Sequence, residues 1–592
     1  MQRDVRGIIS RLPKTLDETY ERILREIHDD NNIHARRLLH CLAVAVRPLR
    51  VEELAEILAF DFDASKGDIP EYHADWRWKD QDEAVLSTCS SLITIAEYNG
   101  FKESTRVVQF SHFSVKEFLM ADRLTTPIRD VSQYHILPGP AHIILAQACL
   151  RFLLHLGSCI DAERAKDFPL AEYAAEHWVA HAQFEDVASH VKHGMKDLFD
   201  PKKPYFALWI ETHDMDHPFK GSDCRTRPTP LYYSALCGFH EIVEDLVIKY
   251  PQYANAIGGQ CDFPLLAALS QGHVRVAELL VKHGGDVNAH GTRGRTQLHT
   301  LLSSRYLDEN SSRSVRFLLE RGADPSLKCE DGENPLHILF SHLGRYLSIN
   351  EVLPVAQLLL ERGVDPNSKD KFGENLLHIL VGHFGGFLST NDVFSVVRLL
   401  LEHGVDPNSK SKDGEAPLHI LFGRLDIYLS IDDILPVVRL LLEYGADPNS
   451  KRKDGKTPLH ILFSYLDIYL SINDVPPVVQ LLLEHGADPN LKGKDDEAPL
   501  HILFSYLDIY LSINDVLPVV QLLLEHGGDP NSKDKHGENL LHILFDYLGG
   551  HLSTNDVLPV VQLLLQHGAD PNSESKVGAT PLYRLLFSDF HP

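Results

Sequence analysis

The sequence predicts a mostly α-helical protein, with an N-terminal helical region containing one β hairpin followed by an α-solenoid of about ten stacked units. Three observations carry this. His337, His378, His419, His460, His501 and His542 recur every 41 residues, as do Asp324, Asp365, Asp406, Asp447, Asp488, Asp529 and Asp570. A fixed period of roughly 20–50 residues marks a stacked repeat array. Upstream, apolar residues fall first at helical spacing and then at strand spacing. Finally, 592 residues at 44% apolar and 24% charged exceed a single core but suit a folded protein of several parts.

In chain order, Thr15 and Glu18 make a capping-box pattern after Pro13, and Leu16, Tyr20, Ile23, Leu24 and Ile27 share one face of a helix over 15–29. A second helix covers roughly 34–46, with Leu38, Leu39, Leu42 and Val46 inward. Arg47-Pro48-Leu49-Arg50 turns into a third, over 51–59. After a loop carrying Trp76 and Trp78, residues 92–95 and 106–110 read as a strand pair joined by a turn at Asn99-Gly100. A helix over about 114–124 follows. Helices, a hairpin and a closing helix over residues 1–125 predict a winged-helix domain; 126–224 reads as a helical linker and 225–592 as the solenoid.

The solenoid opens with Thr229-Pro230-Leu231-Tyr232, then Phe263-Pro264-Leu265-Leu266 and Thr296-Gln297-Leu298-His299; six 41-residue units follow, and a tenth starts at Thr580. Thr457 or Thr580 before proline is a good N-cap, and proline at the first helical position gives up an amide that has no partner there. Asn334, Asn375 and Asn539 take the same position, which Ala416 and Ala498 fill without a capping oxygen. Leu481, Leu482 and Leu483 form the stripe of a second helix, Gly486 ends it, and Asp488-Pro489-Asn490 turns the chain into a hairpin-like loop. His337 lies 28 residues before Asp365, whereas only 20 separate Leu266 from Asp286. The extra eight residues, such as 508–515, are expected to give a longer first helix and a longer turn between helices. Asp392, Asp433, Asp474, Asp515 and Asp556 would then be N-caps of the second helices, putting Pro518 at a third position where its missing amide costs nothing.

The recurring T-P-L-H and L-L-L-E-H-G-A-D elements resemble the ankyrin repeat, in a variant longer than the usual unit of about 33 residues. That resemblance implies a protein-binding array whose first helices and hairpin tips form a concave face. LPKTLDETYERIL, RPLRVEELAEILA and FSHFSVKEFLMADRL, over residues 10–125, resemble the segment after the NTPase core of fungal NACHT proteins, which is similar to the winged helix named for GPI inositol-deacylase. PLAEYAAEHWVAHA (169–182) is similar to the helices joining it to ankyrin repeats in those proteins. The P-loop of NACHT proteins has no match: Gly455-Lys456-Thr457 has Ser450 where the first glycine belongs. The resemblance therefore implies the ligand-sensing half of an NLR-like receptor, non-enzymatic and without a cofactor, its NACHT NTPase domain supplied upstream or in trans. The alternative is a free-standing ankyrin scaffold or adaptor.

A formal charge of −26 argues against nucleic-acid partners and against an anionic membrane surface. On the helix after Arg50, Glu52, Glu53 and Glu56 would repel phosphate, so an internal packing role is preferred to DNA readout. Eight cysteines without a C-x-x-C, and charged rather than apolar leading residues, fit a reduced cytoplasmic compartment. The most apolar run, 140–157, is broken by His142, Gln147, Arg151 and His155, too polar to span a bilayer.

Candidate chemistry is sparse. The repeat histidines are spaced too widely to share an ion and read as ties for their own loops. His177 and His181, with His190 and His193 nearby, lack the glutamate of H-E-x-x-H, so no metal is expected. His112 falls in FSHFSVKEFL, and by resemblance to NACHT-type winged helices it would reach a nucleotide if an NTPase were supplied; simple packing is the favoured reading. The protein-binding candidates are the positions that vary within an otherwise repeated frame. Five residues after each histidine stand His342, His383, Arg424, Tyr465, Tyr506 and Tyr547, and before the hairpin turn stand Phe372, Asp413, Asp454, Asp495, His536 and Val577. Exposed tyrosine is a common interface anchor, against which stands neutral surface drift.

Overall fold

The structure, a computed structural model, describes residues 15–62, 69–89, 91–99, 104–125, 131–159, 168–216, 227–303, 309–345, 347–384, 388–425, 429–465, 472–505, 513–547 and 554–587. The chain divides into two compact units, residues 1–286 and 287–592.

The first unit starts with α1 (Leu16–Arg25), whose N-cap Thr15 accepts the Glu18 amide at 3.2 Å. It is shorter than expected, ending at Glu26, and Leu16 at its start is exposed. Helix α2 (Asn32–Val44) buries Leu38, Leu39 and Cys41. It stops before Val46, which is 54% exposed rather than inward. Strand β1 (Leu49–Arg50) leads into α3 (Val51–Ile57); the pair β2 (Phe60–Asp61) and β3 (Glu71–Tyr72) follows. A helix absent from the sequence reading, α4 (Gln81–Cys89), comes next. Its apolar stripe is little more than Val85 and Cys89, too short to register as a period. Strands β4 (Ile93–Asn99) and β5 (Ser104–Phe110) pair antiparallel, with β1 on the other side of β5, in the order β1-β5-β4. Asn99 belongs to β4, and Gly100 of the expected turn lies outside the described residues. Helix α5 (Phe113–Leu119) follows, completing the winged-helix arrangement.

The acidic residues of α3 are internal fasteners. Arg47 forks onto Glu53 at 2.8 and 2.6 Å, and Glu53 also accepts the Arg50 amide. Glu56 is buried and accepts from the Leu170 amide, the Tyr72 hydroxyl and the Arg77 guanidinium. Burial pushes its carboxyl above the ordinary range. Glu52 faces Arg106 at 3.7 Å.

Helices α6 (Pro138–Cys159) and α7 (Leu170–Ala182) pack against each other, followed by α8 (Val187–His190), α9 (Lys192–Leu198) and α10 (Tyr205–Thr212). Trp178 of α7 and Trp209 of α10 meet edge to face at 5.2 Å. They also touch Phe239 and Tyr233 of the first repeat, whose helices are Pro230–Leu236 and His240–Lys249. Asp214 and Asp216 accept from the hydroxyls of Tyr233 and Tyr232, fastening the end of the helical segment to that repeat.

In the second unit the extra residues lengthen the connection between the helices, as expected, but not the first helix. First helices keep the upstream length: Pro335–His342, Leu376–Gly382, Pro417–Phe422, Pro458–Ser464, Pro499–Ser505 and Leu540–Tyr547, against Pro264–Ser270 upstream. Second helices grow instead, to 13 residues in Ile349–Glu361, Thr390–Glu402 and Ile431–Glu443, against 9 in Val274–Lys282. Their N-caps are Ser348, Ser389 and Ser430, and Glu351, Asp392 and Asp433 sit at the third position, reaching back to the serine. This is the S-x-x-[DE] capping box, which moves the helix start three residues upstream of the expected aspartate cap. Asp515 likewise falls third in Ile513–Glu525, so Pro518 is inside that helix rather than in its first turn. Asp474 ends a 3-10 turn, Ile472–Asp474, because Pro476-Pro477 delays the following helix to Pro476–Glu484. Among the described residues no helix is long and apolar enough to cross a membrane.

Candidate protein-binding site

The repeat frame is built from three side-chain clamps. The histidine of each long unit's first helix is buried, and its Nδ1 accepts the backbone amide three residues earlier, as in Asn334 to His337 (3.3 Å) and Thr457 to His460 (3.2 Å). On the far side of the ring, Nε2 donates to a main-chain carbonyl of the next unit: His378 to Glu415 at 3.0 Å, His460 to Glu497 at 3.1 Å, His542 to Ala579 at 2.9 Å. In His378, His460 and His542 both nitrogens are thus engaged in a neutral ring, whereas among the described residues Nε2 of His337 and of His501 has no hydrogen-bond partner. Burial pushes His299, His337, His419 and His460 down to about 4. The capping expectation holds: Asn334, Asn375 and Asn539 accept the histidine amide at 3.1–3.3 Å. Alanine at 416 and 498 has no oxygen to offer there.

The asparagine of D-P-N, read from sequence as a turn former, is the second clamp. Asn367 donates to the Gly404 carbonyl at 3.0 Å and accepts the Asp406 amide at 2.6 Å, closing one unit onto the next. Asn408, Asn449, Asn490 and Asn531 repeat this. Ser326 occupies the position once, and its hydroxyl turns back to Asp324 at 2.6 Å. Ser326→Asn is therefore expected to stabilise the chain by about 1–2 kcal/mol through two added hydrogen bonds. An unchanged or lower urea midpoint would count against the clamp.

The third clamp is a lysine column. Lys328, Lys369, Lys410, Lys451, Lys492 and Lys533 each donate Nζ to the carbonyl 41 residues on, at 2.5–3.0 Å.

Successive hairpins are joined by main-chain bonds, for example Lys412 N to Phe372 O at 2.8 Å and Lys576 N to His536 O at 2.9 Å. Among the described residues the corresponding bond from Lys535 to Asp495 is missing. The next residue explains it. Where the other long units have a glycine at φ between 74° and 80°, Asp496 holds φ 58°. A Cβ at Gly373 would stand 3.0 Å from the Lys412 amide nitrogen, so a side chain at this position crowds the joining bond. Asp496→Gly is expected to stabilise by about 1 kcal/mol, by relieving a left-handed non-glycine residue. A lower thermal midpoint would refute it.

With the frame held this way, the variable residues project from it. Tyr465 immediately follows its helix and is 40% exposed; His342 closes its helix half-buried, and His383 and Arg424 are exposed just past theirs. Tyr547 ends Leu540–Tyr547, and Tyr506 lies outside the described residues. Among the described residues none of these sits within an extended first helix, which the sequence reading expected. At the hairpin tips Phe372 is 58% and Val577 81% exposed. Asp413, Asp495 and His536 are also exposed, and Asp454 is half-buried. Lys371 reaches across to Asp331 at 2.6 Å and lies 5.1 Å from the Phe372 ring centre. In the first unit, exposed His112 is the N-cap of α5: its Nδ1 lies 3.3 Å from the Ser114 amide and 2.6 Å from its hydroxyl, which meets the Tyr20 hydroxyl at 2.7 Å.

Ankyrin-repeat families match residues 231–329, 331–371, 391–491 and 427–534. The units are ankyrin repeats. The winged-helix domain of GPI inositol-deacylase matches residues 22–128. Among curated proteins, the chain is 30% identical over 293 residues to azaphilone pigments biosynthesis cluster protein L of Monascus ruber, covering 47% of this chain and 60% of that one. It is 29% identical over 112 residues to ankyrin repeat and SAM domain-containing protein 6 of Mus musculus, covering 19% of this chain and 12% of that one. The match thus spans less than two thirds of either relative's length. Among solved structures, the ankyrin repeat domain of Bcl-3 is 29% identical with a TM-score of 0.32, covering 39% of this chain and 93% of that one. Ankyrin repeats indicate a protein–protein interaction module.

Sequence reasoning missed the asparagine and lysine clamps because their partners lie 37–41 residues away. The signal was available in the recurrence of D-P-N, broken only at Ser326, and of the lysine two residues later, broken only at Glu574, which a turn alone does not require.

Proposed function

We propose that the ankyrin array binds a protein ligand through the ends of its first helices and the tips of its hairpins, without catalysis. The observation that supports this is the division of labour within each unit: the repeated residues are consumed by clamps, and side-chain variation falls on the projecting positions, Phe372, Tyr465, Asp413, Asp495 and His536 among them. On this reading the winged helix couples ligand binding to a NACHT-type nucleotide switch upstream or in trans, while His112 serves as the N-cap of α5. The chain would work in the cytoplasm, with neither nucleic acid nor membrane as partner.

The test starts from a partner captured with the full chain. Phe372→Ala and Tyr465→Ala are each expected to weaken its binding about 30-fold, roughly 2 kcal/mol, as truncated aromatic anchors do. Thermal stability should stay within about 0.5 kcal/mol, since both rings project from the frame. Unchanged affinity in both variants would place the binding face elsewhere; lost stability would make the rings packing residues.

A further inference from the structure

Away from the repeat face, the first unit holds a chain of polar groups, buried at its centre, that none of the functions above uses. The Val46 amide, between α2 and β1, lies 3.3 Å from the Tyr173 hydroxyl of α7. That hydroxyl is 2.9 Å from His181 Nε2, and His181 Nδ1 is 2.8 Å from His142 Nδ1 of α6. Tyr173 and His181 are fully buried, whereas His142 is partly exposed and stacks on Phe184 at 4.1 Å.

The donors can be assigned by elimination. Val46 N–H must donate, so the tyrosine oxygen accepts. Among the described residues the tyrosine's own hydrogen has one acceptor, His181 Nε2. His181 therefore carries its proton on Nδ1 and donates it to His142 Nδ1, which must be a lone pair. Every member is satisfied while both rings are neutral.

We propose that this chain is a proton-sensitive latch, in which one proton taken up by the His142–His181 pair releases the Val46 segment from α7. A proton on His142 Nδ1 would face the N–H of His181 head on. Relief by shifting the His181 proton to Nε2 turns it against the tyrosine hydroxyl. The hydroxyl hydrogen would then have only the Val46 N–H to face, donor against donor. The conflict passes along the chain to the winged-helix side, and unmatched buried donors are costly.

His142 is the entry point, being the titrating member that solvent reaches. The charged and titratable groups around the chain are Glu185 near His142, which favours its charged form, His177 one turn before His181, and the buried thiols of Cys41 and Cys149 beside Tyr173. His177 itself faces Glu176, Arg47, His213 and Glu53, and Arg47 lies 5.0 Å from the Tyr173 ring centre. Burial holds His142 below its ordinary 6.5 and His181 at about 3, so the latch opens on the acid side of neutrality.

The test is hydrogen exchange at the Val46 amide in the full chain, resolved to single residues and corrected for intrinsic rates. The repeat histidines do not report at this position. Between about pH 7.5 and 5.0, protection there is expected to fall about tenfold, one pH unit's worth of proton linkage. His142→Gln supplies a side-chain oxygen to accept the His181 proton but cannot titrate, and should keep the amide protected at both pH values. Tyr173→Phe should leave it unprotected at both. Constant protection in the wild type, an equal fall in His142→Gln, or full protection in Tyr173→Phe would each overturn the latch.

Discussion

Lowering the pH from about 6.5 to 5 is expected to destabilise the ankyrin array by several kcal/mol, with each of four histidines contributing about 1.4 kcal/mol per pH unit. His299, His337, His419 and His460 are held near 4 in the folded chain by burial, against an ordinary 6.5. A depressed folded value means that the unfolded chain binds more protons between these limits. The stabilisation is therefore complete above about 6.5 and is lost as the pH falls toward the folded value. His378 and His501 are shifted in the same direction. Glu333, Glu374 and Glu497 oppose the trend, because burial raises their carboxyls and folding then favours their protonation. The interval from 6.5 to 5.5 starts at the histidines' ordinary value and lies above the glutamates' ordinary 4.5, so the histidines lead there. Urea midpoints followed by circular dichroism across that interval are expected to fall steadily; a flat or rising midpoint would show that the rings are not buried as neutral clamps.

That clamp was half visible beforehand. The 41-residue period is written in the recurrence of the sequence itself, and the capping position of Asn334 and the absence of a cap at Ala416 could be read directly because each depends on residues within one turn of each other. The second half of the clamp, from His460 Nε2 to Glu497, joins different units and has no local signature. The same distinction explains the misplaced helix. S-I-D-D at 430–433 offers two competing caps, serine or aspartate, and only the reciprocal bond between Ser430 and Asp433 decides between them. Moving the start three residues upstream gives part of the extra length to the second helix, and the connection between the helices takes the rest, as expected. The projecting residues were legible as variable positions, but their place at the ends of unextended first helices was not. The His142–His181 contact was less legible still, since it joins helices 39 residues apart through side chains that fit no known motif.

Trp209→Ala is expected to cost about 3–5 kcal/mol, the range for deleting a fully buried large aromatic side chain. The indole is 1% exposed and sits among Trp178, Phe199, Phe206 and Tyr233 at ring separations of 5.2–6.1 Å. Its Nε1–H donates to the Ala175 carbonyl of α7 at 2.9 Å, so truncation also strips that carbonyl of a partner. The cluster is where α7, α9 and α10 cover Tyr233 and Phe239 of the first ankyrin repeat, and a fragment starting at residue 225 would lose both tryptophans from it. Trp209→Phe separates the two contributions: it keeps most of the apolar volume and removes the donor, so it should cost less than the alanine variant but remain measurable. Urea unfolding of the full chain, followed by near-UV circular dichroism for the tryptophan cluster and far-UV for the helices, reads both. An alanine variant within about 1 kcal/mol of wild type would mean that the first repeat does not depend on this aromatic cover.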